Sequence, residues 1–385
     1  MKRRIFVVMS LIGVILSIVF IVLRDRGFFL PEYKNDIDRF MNSRMKNMEV
    51  PGLAVGIVNS DGVVWEGYYG TFDGERPVSE DTMFMIASVS KTVVATAIMQ
   101  LWELGYFHLD EDINAFLDFE VINPNHPDAI ITFQDLMTHH SSIHDRYPFL
   151  ADTYTTDSGG GDSIWELGEF LKAYLLQDGE FFMDENYLNN APGEIFEYSN
   201  YGVALLAYLV EVISQEDFAD YCRSHIFTPL GMDHSYFLIR NIPAREIEIA
   251  VPFHNGLALP QYNYPDYPTG SLRTTIRDMA RLVTFYLDPT VGNQSVLQPT
   301  TIELMFGEHK ETDNESSIGL IWWHGKDNSI GHDGSDDGVQ TDLTLYPEEG
   351  FGTVIFMNGN PKNYDRVFMD VLERLHIEGG RLKSE

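Results

Sequence analysis

The chain has 385 residues, enough for one large domain or two modest ones. Its residues are 44% hydrophobic and 13% aromatic, so it can bury a sizeable core and is not expected to be disordered. The 58 acidic residues outnumber the 26 basic ones, which makes the formal net charge −32. Nucleic acid and anionic membrane surfaces repel a body of that charge, so no nucleic-acid partner is expected.

The amino-terminal segment differs in kind from the rest of the chain. Residues 5–23 carry no charge, and at about 1.5 Å per residue they span about 28 Å, close to the hydrocarbon thickness of a bilayer. No small-residue cleavage site follows, so we expect an uncleaved anchor rather than a cleaved signal and a secreted form. The basic residues at positions 2–4 then keep residues 1–4 in the cytoplasm. Residues 24–35 are expected to link this single-pass anchor to an extracytoplasmic domain.

The remaining chain shows strand patterns near both ends and helix patterns between them. Residues 36–48 have a helical spacing of apolar residues, and Asp61-Gly62 separates two strand-like runs as in a hairpin. Helical patterns follow at 92–102 and 201–214. Three strand candidates lie near the end, at 317–325, 339–347 and 352–358, before a last helical pattern at 365–376. This order predicts one α+β sheet domain, completed by both ends of the chain, with a mostly helical insert.

The predicted helix after the hairpin begins at a lysine and then runs from Thr92 to Trp102 without a charge. A helix that is apolar on nearly every face is a buried helix. Lys91 would lie in its first turn, half out of water and near the positive end of the helix dipole, and both conditions lower its pKa. Ser88 lies three residues earlier on the same face, so a neutral Lys91 could accept its proton and make it a nucleophile. The alternative is that Ser88 only caps the helix.

Two further segments carry candidate site residues. Tyr198 and Asn200 come just before the second apolar helix. A tyrosine near a cationic lysine loses its proton more easily and can shuttle it, and an asparagine can hydrogen-bond a substrate amide. The alternative for this segment is a turn and helix cap, with Tyr198 packed in the core.

The second segment is His332-Asp333-Gly334, which precedes a strand candidate. A glycine at a strand edge lets a ligand approach the backbone, and an extended substrate could pair along that edge. The N–H of Ser335 could then be an oxyanion donor together with an N–H of the helix that follows Ser88. The alternative for His332 is a solvated loop histidine.

The three motifs S-x-x-K, Y-S-N and H-x-G, in this order, resemble the serine β-lactamase and penicillin-binding family. The likeness is to its class C β-lactamase, D-alanyl-D-alanine carboxypeptidase and family VIII esterase side. It runs from about residue 36 to 375, and residues 131–143 are similar to the family's I-T-x-x-x-L-L-x-H-x-S-G-L element. The resemblance implies an antiparallel sheet flanked by helices, a mostly helical inserted subdomain, and a catalytic domain over residues 36–378.

The same resemblance implies roles for the candidate residues. Ser88 attacks a carbonyl and forms an acyl-enzyme, while Lys91 and Tyr198 move its proton. Backbone N–H groups of Ser88 and Ser335 bind the oxyanion beside Gly334, and Asn200 contacts the substrate amide. No cofactor is implied, and no signal in the sequence addresses self-association.

The resemblance implies a serine hydrolase that acts on a small peptide, amide or ester, as a D-amino-acid peptidase, a carboxypeptidase or an esterase does. His332 stands where many β-lactamases of this fold carry lysine, and a histidine is only partly charged near neutrality. This weakens the case for firm capture of a β-lactam carboxylate. Two alternatives stay open: a β-lactamase proper, and a catalytically idle relative that binds cell-wall peptides.

The sequence departs from the family pattern in three places. Ser142 replaces a loop glycine, and the insert at 151–190, which contains DSGGGD, is longer than usual and is expected to wall the pocket. Asp333, Asp336 and Asp337 surround the histidine motif and are expected to favour amine-bearing or neutral substrates over anionic ones. The alternative is a solvated acidic loop on an acidic protein.

The histidine-rich segment after residue 138 offers a candidate metal site. His140 and His144, spaced i and i+4, could bind zinc if they lay on a helix. No carboxylate there has metal-ligand spacing, and the segment matches a structural element of the family. The sequence therefore predicts no metal.

Overall fold

The computed structural model describes residues 36–244, 248–290, 296–312, 316–362 and 364–382. The predicted tail, anchor and linker over residues 1–35 lie outside these ranges. No helix within them is both long enough and apolar enough to cross a membrane. The chain divides into two compact units, residues 1–43 and 44–385, and the sheet and the cavity described below lie in the second.

The strands of the described residues fall near both ends of the second unit. They are β1 (Gly52–Asn59), β2 (Gly62–Gly70), β3 (Thr82–Met85), β4 (Glu248–Ile249), β5 (Phe253–His254), β6 (Leu257–Ala258), β7 (Arg273–Thr274), β8 (Lys310–Glu311), β9 (Ser317–Ile318), β10 (Trp323–His324), β11 (Ile330–Asp336), β12 (Val339–Tyr346) and β13 (Phe351–Met357). Eight of them form one antiparallel sheet in the order β2-β1-β13-β12-β11-β10-β9-β8. Strand β1 pairs directly with β13, so the prediction that both ends of the chain complete the sheet is confirmed.

The prediction of one strand over residues 317–325 is wrong. The segment forms two short strands, β9 and β10, because the N–H of Gly319 donates to the carbonyl of Trp322 and closes a turn between them. Ile321 in that turn has φ of +77°, which is strained for a β-branched residue. Leu320, Ile321 and Trp322 are all fully buried, and the burial of three large apolar side chains offsets the strain.

The helices of the described residues lie mostly between β3 and β4 in the chain. They are α1 (Asp36–Met48), α2 (Lys91–Glu103), α3 (Phe133–Met137), α4 (Tyr147–Asp152), α5 (Leu167–Leu175), α6 (Asn200–Ser214), α7 (Phe218–Cys222), α8 (Thr228–Leu230), α9 (Ile276–Leu287), α10 (Pro299–Phe306) and α11 (Tyr364–Leu382). Helix α6 packs against α2, α3, α5 and α7, so it forms the centre of the helical region. The predicted helical insert in an α+β fold is therefore confirmed.

The helical region meets the sheet at the turn that carries Ser88. Ala87–Ser90 form a 3₁₀ turn before α2, and this turn contacts β11 and β12. Helix α2 buries nearly every residue, as its uncharged run predicts, and ends before Gly105, which has φ of +77°. Strand β10 pairs with β11 only at Ile330 and Gly331, so in the described chain the rest of β11 has an unpaired edge.

Candidate active site

Ser88 and Lys91 are in direct contact, as their spacing predicts. The Nζ of Lys91 lies 2.8 Å from Oγ of Ser88, and it donates to the carbonyl of Thr269 at 2.8 Å. Ser88 lies in the tight turn before the helix rather than in the helix itself. The turn begins at Ala87, whose φ of +44° is unusual for a residue with a side chain. This bent entry presents Ser88 at the start of α2.

Lys91 is fully buried rather than half out of water. Removal from water disfavours the ammonium and lowers its pKa to about 7, and this loss of hydration outweighs the attraction of nearby carboxylates. Those carboxylates belong to Asp266, Asp145, Asp336 and Asp333. At neutral pH about half of the molecules therefore carry an uncharged amine, which can accept a proton from the hydroxyl beside it.

Tyr198 lies against the same pair. The side chain of Ser88 favours the deprotonated form of the Tyr198 hydroxyl, and the Nζ of Lys91 lies 5.1 Å from the centre of the tyrosine ring. The expectation that Tyr198 loses its proton easily is wrong, because loss of hydration raises its pKa well above the ordinary value. A lysine that is itself half neutral supplies little positive charge to oppose this. Tyr198 thus keeps its proton in the free protein and is arranged as a donor.

A buried carboxylate, Asp145, holds the junction between Tyr198 and α6. It accepts hydrogen bonds from Ser199 Oγ at 2.9 Å, from both the N–H and the Nδ2 of Asn200 at 2.6 and 2.9 Å, and from the N–H of Tyr201 at 3.1 Å. These bonds satisfy orphan N–H groups at the start of the helix. They also occupy Nδ2 of Asn200, which leaves Oδ1 of its amide to accept from a substrate N–H.

We expect Asp145→Asn to lower the free energy of unfolding by about 2–4 kcal/mol, because one carboxylate oxygen becomes an NH₂ group that faces donors. Urea unfolding measures this change. Asp152→Asn is the matched control, since Asp152 is exposed at the end of α4. A loss below about 1 kcal/mol in Asp145→Asn, no larger than the effect of a typical single hydrogen bond, would contradict the assigned role.

His332 is buried at the start of the unpaired edge of β11. Its Nδ1 lies 2.6 Å from the carbonyl oxygen of Asp333, so Nδ1 carries the proton and Nε2 is an acceptor. Among the described residues Nε2 has no hydrogen-bond partner. The expectation of a partly charged histidine is wrong, because burial and, to a smaller extent, the positive charge of Lys91 lower its pKa to about 4 against the opposing charge of Asp333. His332 is therefore neutral at neutral pH.

Gly334 brings β11 against the turn that carries Ser88. A Cβ on Gly334 would lie 2.6 Å from the carbonyl oxygen of Ile86 and 2.9 Å from the backbone nitrogen of Ser88. It would also collide with Oγ1 of Thr341, which donates to the same carbonyl at 2.7 Å. The close approach that the glycine was expected to allow is thus made by the protein's own backbone. The oxyanion role of Ser335, the next residue, stays a prediction.

A cavity of about 330 Å³ opens at Ser88. Five of the predicted site residues line it, namely Ser88, Tyr198, Asn200, His332 and Ser335. Lys91 contacts Ser88 and Gly334 packs against its turn, so all seven predicted residues come together. Their catalytic roles stay predictions.

Sequence reasoning did not identify much of the cavity wall. Asp333 and Asp336, which were expected beside the histidine motif, line the cavity, and the lining residues that were not identified are Ala87, Tyr147, Leu150, Tyr154, Tyr264, Asp266, Thr269 and Trp323. The insert contributes Tyr154, as expected, but its glycine-rich turn instead pairs at Gly161 with Tyr262. Asp337 is exposed beside His254 and is not part of the lining. No local pattern marks the tyrosines or Asp266 as site residues, because they come from separate loops.

The loop that lacks the family's glycine keeps a left-handed backbone. Ser142 has φ of +63° and is buried. Its Oγ accepts a hydrogen bond from Nδ2 of Asn123 at 3.0 Å. Ser142 thus keeps the backbone conformation that a glycine would adopt without strain, and its side chain forms a buried hydrogen bond there.

His140 and His144, the candidate zinc ligands, lie in a loop after α3 rather than on a helix. Nδ1 of His140 is 2.7 Å from the carbonyl of Thr138, and Nδ1 of His144 is 2.8 Å from Oε1 of Glu197. Within the described ranges, no three histidine, cysteine or acidic side chains are grouped to hold a metal ion.

Comparison with known proteins places this chain in a family. The Beta-lactamase family model matches residues 37–377. Protein flp of Staphylococcus aureus strain N315 is 23% identical over 335 residues, which cover 85% of this chain but only 63% of that relative. Penicillin-binding protein 4 of Amycolatopsis lactamdurans is 26% identical over 330 residues, which cover 80% of this chain and 81% of that relative.

Solved structures show the same fold. The D-alanine carboxypeptidase AmpC of Burkholderia cenocepacia and a penicillin-binding protein of Bacillus halodurans each have a TM-score of 0.68 and 22% identity to this chain. Each likeness covers 89% of this chain, and 97% and 100% of the two structures respectively. Because the family model covers most of the sequence and the fold agrees with it, the chain belongs to the Beta-lactamase family, alongside class C β-lactamases and penicillin-binding proteins.

Proposed function

We propose that the protein is a serine hydrolase that cleaves a peptide, amide or ester through an acyl-enzyme on Ser88. The observation that supports this most directly is the 2.8 Å contact between Nζ of Lys91 and Oγ of Ser88. A fully buried lysine is costly for a fold, and an apolar side chain would fill the same space without that cost. An amine with a pKa of about 7 beside a hydroxyl is instead what proton transfer at neutral pH requires.

The proposed reaction uses each group in turn. Lys91 accepts the proton of Ser88 while Oγ attacks the substrate carbonyl, and the backbone N–H groups of Ser88 and Ser335 hold the oxyanion. Tyr198 donates its proton to the leaving amine or alkoxide as the bond to the acyl carbon breaks. The proton on Lys91 then returns to the tyrosine oxygen. Water attacks the ester on Ser88 with the same groups acting in reverse.

The finer parts of the proposal concern substrate and location. Relatives that include a D-alanine carboxypeptidase and penicillin-binding proteins support a D-amino-acid peptidase, a carboxypeptidase or an esterase. A neutral His332 supplies no charge to attract a β-lactam carboxylate, which favours these activities over a β-lactamase. The uncharged residues 5–23 behind basic positions 2–4 support a membrane anchor with the catalytic domain outside the cytoplasm.

The test is covalent labelling of the full chain in detergent with a fluorophosphonate and with a fluorescent penicillin, followed by peptide mass analysis. We expect an adduct on the peptide that contains Ser88, absent in Ser88→Ala. Ser158→Ala is the control and should label normally, because Ser158 is exposed in the glycine-rich turn. A wild-type protein without any adduct on Ser88 would make it an idle binder. Rapid penicillin turnover without a lasting label would make it a β-lactamase instead.

A further inference from the structure

We propose that the cavity selects substrates whose acyl group carries a cationic amine, and that Asp266 receives this amine. The placement of the amine on the acyl group of the substrate, rather than on the leaving group, rests on the proposed acyl-enzyme mechanism. The selection of a cation does not depend on that mechanism, because it follows from the charges and unpaired atoms of the cavity.

Among the described residues that line the cavity, the aspartates are the only side chains that carry a charge near neutral pH. Asp266, Asp333 and Asp336 line the cavity, and no arginine or lysine is among the lining residues. Lys91 lies behind Ser88 and is uncharged in about half of the molecules at neutral pH. An anionic acyl group would therefore face carboxylates without a compensating cation. The net charge of −32 adds a long-range attraction for cations.

Asp266 has an oxygen that its own protein does not satisfy. The side chain is only 1% exposed and lies just before the 3₁₀ turn Tyr267–Thr269. Its Oδ2 accepts from Oγ1 of Thr269 at 3.1 Å, while Oδ1 has no hydrogen-bond partner in the described chain. A buried acceptor without a donor costs stability. Burial also raises the pKa of Asp266 to about 7, and a bound cation would favour the charged form of this carboxyl group. An ammonium group of a ligand would supply both the donor and the opposite charge.

The same end of the cavity is lined by aromatic rings and a second carboxylate. The hydroxyls of Tyr154 and Tyr264 favour the charged form of the Asp336 carboxyl group, and the two ring centres are 4.9 Å apart. The negative charge of Asp266 also acts on both tyrosines, so the four side chains are close together. Aromatic faces attract cations, as carboxylates do. This end of the cavity is therefore built for a positive group.

A second part of the lining holds Tyr198, Trp323 and His332, whose ring centres lie 6.3 Å from one another. Tyr198 is the proposed donor to the leaving group, so we place the leaving group beside these rings. The acyl group then extends toward Asp266. The unpaired Nε2 of His332 suits a leaving group that presents an N–H.

The first test compares matched substrates. The p-nitroanilides of D- and L-alanine with a free amine, an N-acetyl group or an N-succinyl group differ mainly in charge. In at least one enantiomeric series we expect the free amine to exceed the acetyl form in kcat/KM by about tenfold or more, with the succinyl form lowest. In Asp266→Asn the ratio of free amine to acetyl should fall by about tenfold. We compare the ratio of the two kcat/KM values rather than the values themselves, because Asp266 also acts on Lys91 and its loss can change the rates of all substrates together.

Asp337→Asn is the matched control for that ratio. Asp337 is exposed and does not line the cavity, so its loss should leave the ratio within about twofold. If the acetyl or succinyl substrate is preferred by the unsubstituted protein, or the ratio survives Asp266→Asn, the assignment is overturned.

The second test needs no turnover, so it separates this proposal from the hydrolase proposal. Calorimetric titration of Ser88→Ala with the D- and L-forms of alaninamide and N-acetylalaninamide measures binding alone. We expect at least one alaninamide to bind about tenfold more tightly than its acetyl form, and Asp266→Asn in the same background to abolish the difference. Equal binding, or no binding of either compound, overturns the cationic substrate even if Ser88 is labelled. Conversely, a preference for the amine stands even if Ser88 proves unreactive.

Discussion

Lys91→Met should lower the rate of Ser88 acylation by about 10³-fold while the protein stays folded. Methionine has a similar length and no proton-accepting nitrogen, so Oγ of Ser88 loses the amine that lies 2.8 Å away. The substitution also removes a buried amine whose pKa is lowered to about 7, so thermal stability should not fall. The measurement is the rate of fluorophosphonate labelling between pH 5 and 9. In the unsubstituted protein this rate should rise through pH of about 7, as Lys91 loses its proton, and in Lys91→Met it should stay low.

Two further variants separate proton transfer from charge. Lys91→Arg retains a cation that cannot be deprotonated, so its rate should be as low as that of Lys91→Met. Lys362→Met should label at the normal rate, because Lys362 forms an exposed ion pair with Glu49. If Lys91→Met keeps more than about a tenth of the normal rate, the proposed base is wrong.

Gly334→Ala should reduce the labelling rate by about 10²-fold and lower the free energy of unfolding by about 1–3 kcal/mol. The added Cβ would meet the carbonyl oxygen of Ile86 at 2.6 Å and the nitrogen of Ser88 at 2.9 Å. These are backbone atoms, which cannot rotate away as a flexible side chain can. Strand β11 must therefore move away from Ser88 and take Ser335 with it. Labelling kinetics and urea unfolding measure the two effects.

Gly307→Ala is the control for the glycine prediction. Gly307 follows α10 with φ of −63°, and a Cβ there would have ordinary contacts from 3.4 Å outward. Its labelling rate and unfolding free energy should match those of the unsubstituted protein. A labelling rate in Gly334→Ala within about threefold of normal would contradict the prediction. It would show that β11 can move away from the turn that carries Ser88 without loss of reactivity.

Local patterns in the sequence were sufficient to predict the parts of the site whose residues lie close together in the chain. Ser88 and Lys91 are three residues apart, so helical spacing alone predicts their contact. The two helices α2 and α6 follow from their apolar runs. The interrupted strand at 317–325 could not be predicted, because the turn at Ile321 is stabilised by burial in the core rather than by its own residues.

The chemistry of the site depends on packing that no local pattern encodes. The predicted pKa of Tyr198 was wrong in direction, and the predicted pKa of His332 was too high. Burial determines both values, and the neighbouring residues in the sequence do not reveal that burial. Asp145 and Asp266 each lie in loops far along the chain from the groups they act on. Their importance appears only when α2, α6 and β11 are assembled around one cavity.

The pairing of β1 with β13 has a consequence for the order in which the molecule matures. Ser88 and Lys91 leave the ribosome long before β11, which closes the cavity around them. Contacts between residues so distant in the chain form slowly, and the pairing of β1 with β13 must wait until residue 357 has been synthesised. A nascent chain that stops before β11 thus carries Ser88 and Lys91 without their partner strand, and the cavity is assembled only once β11 has been synthesised.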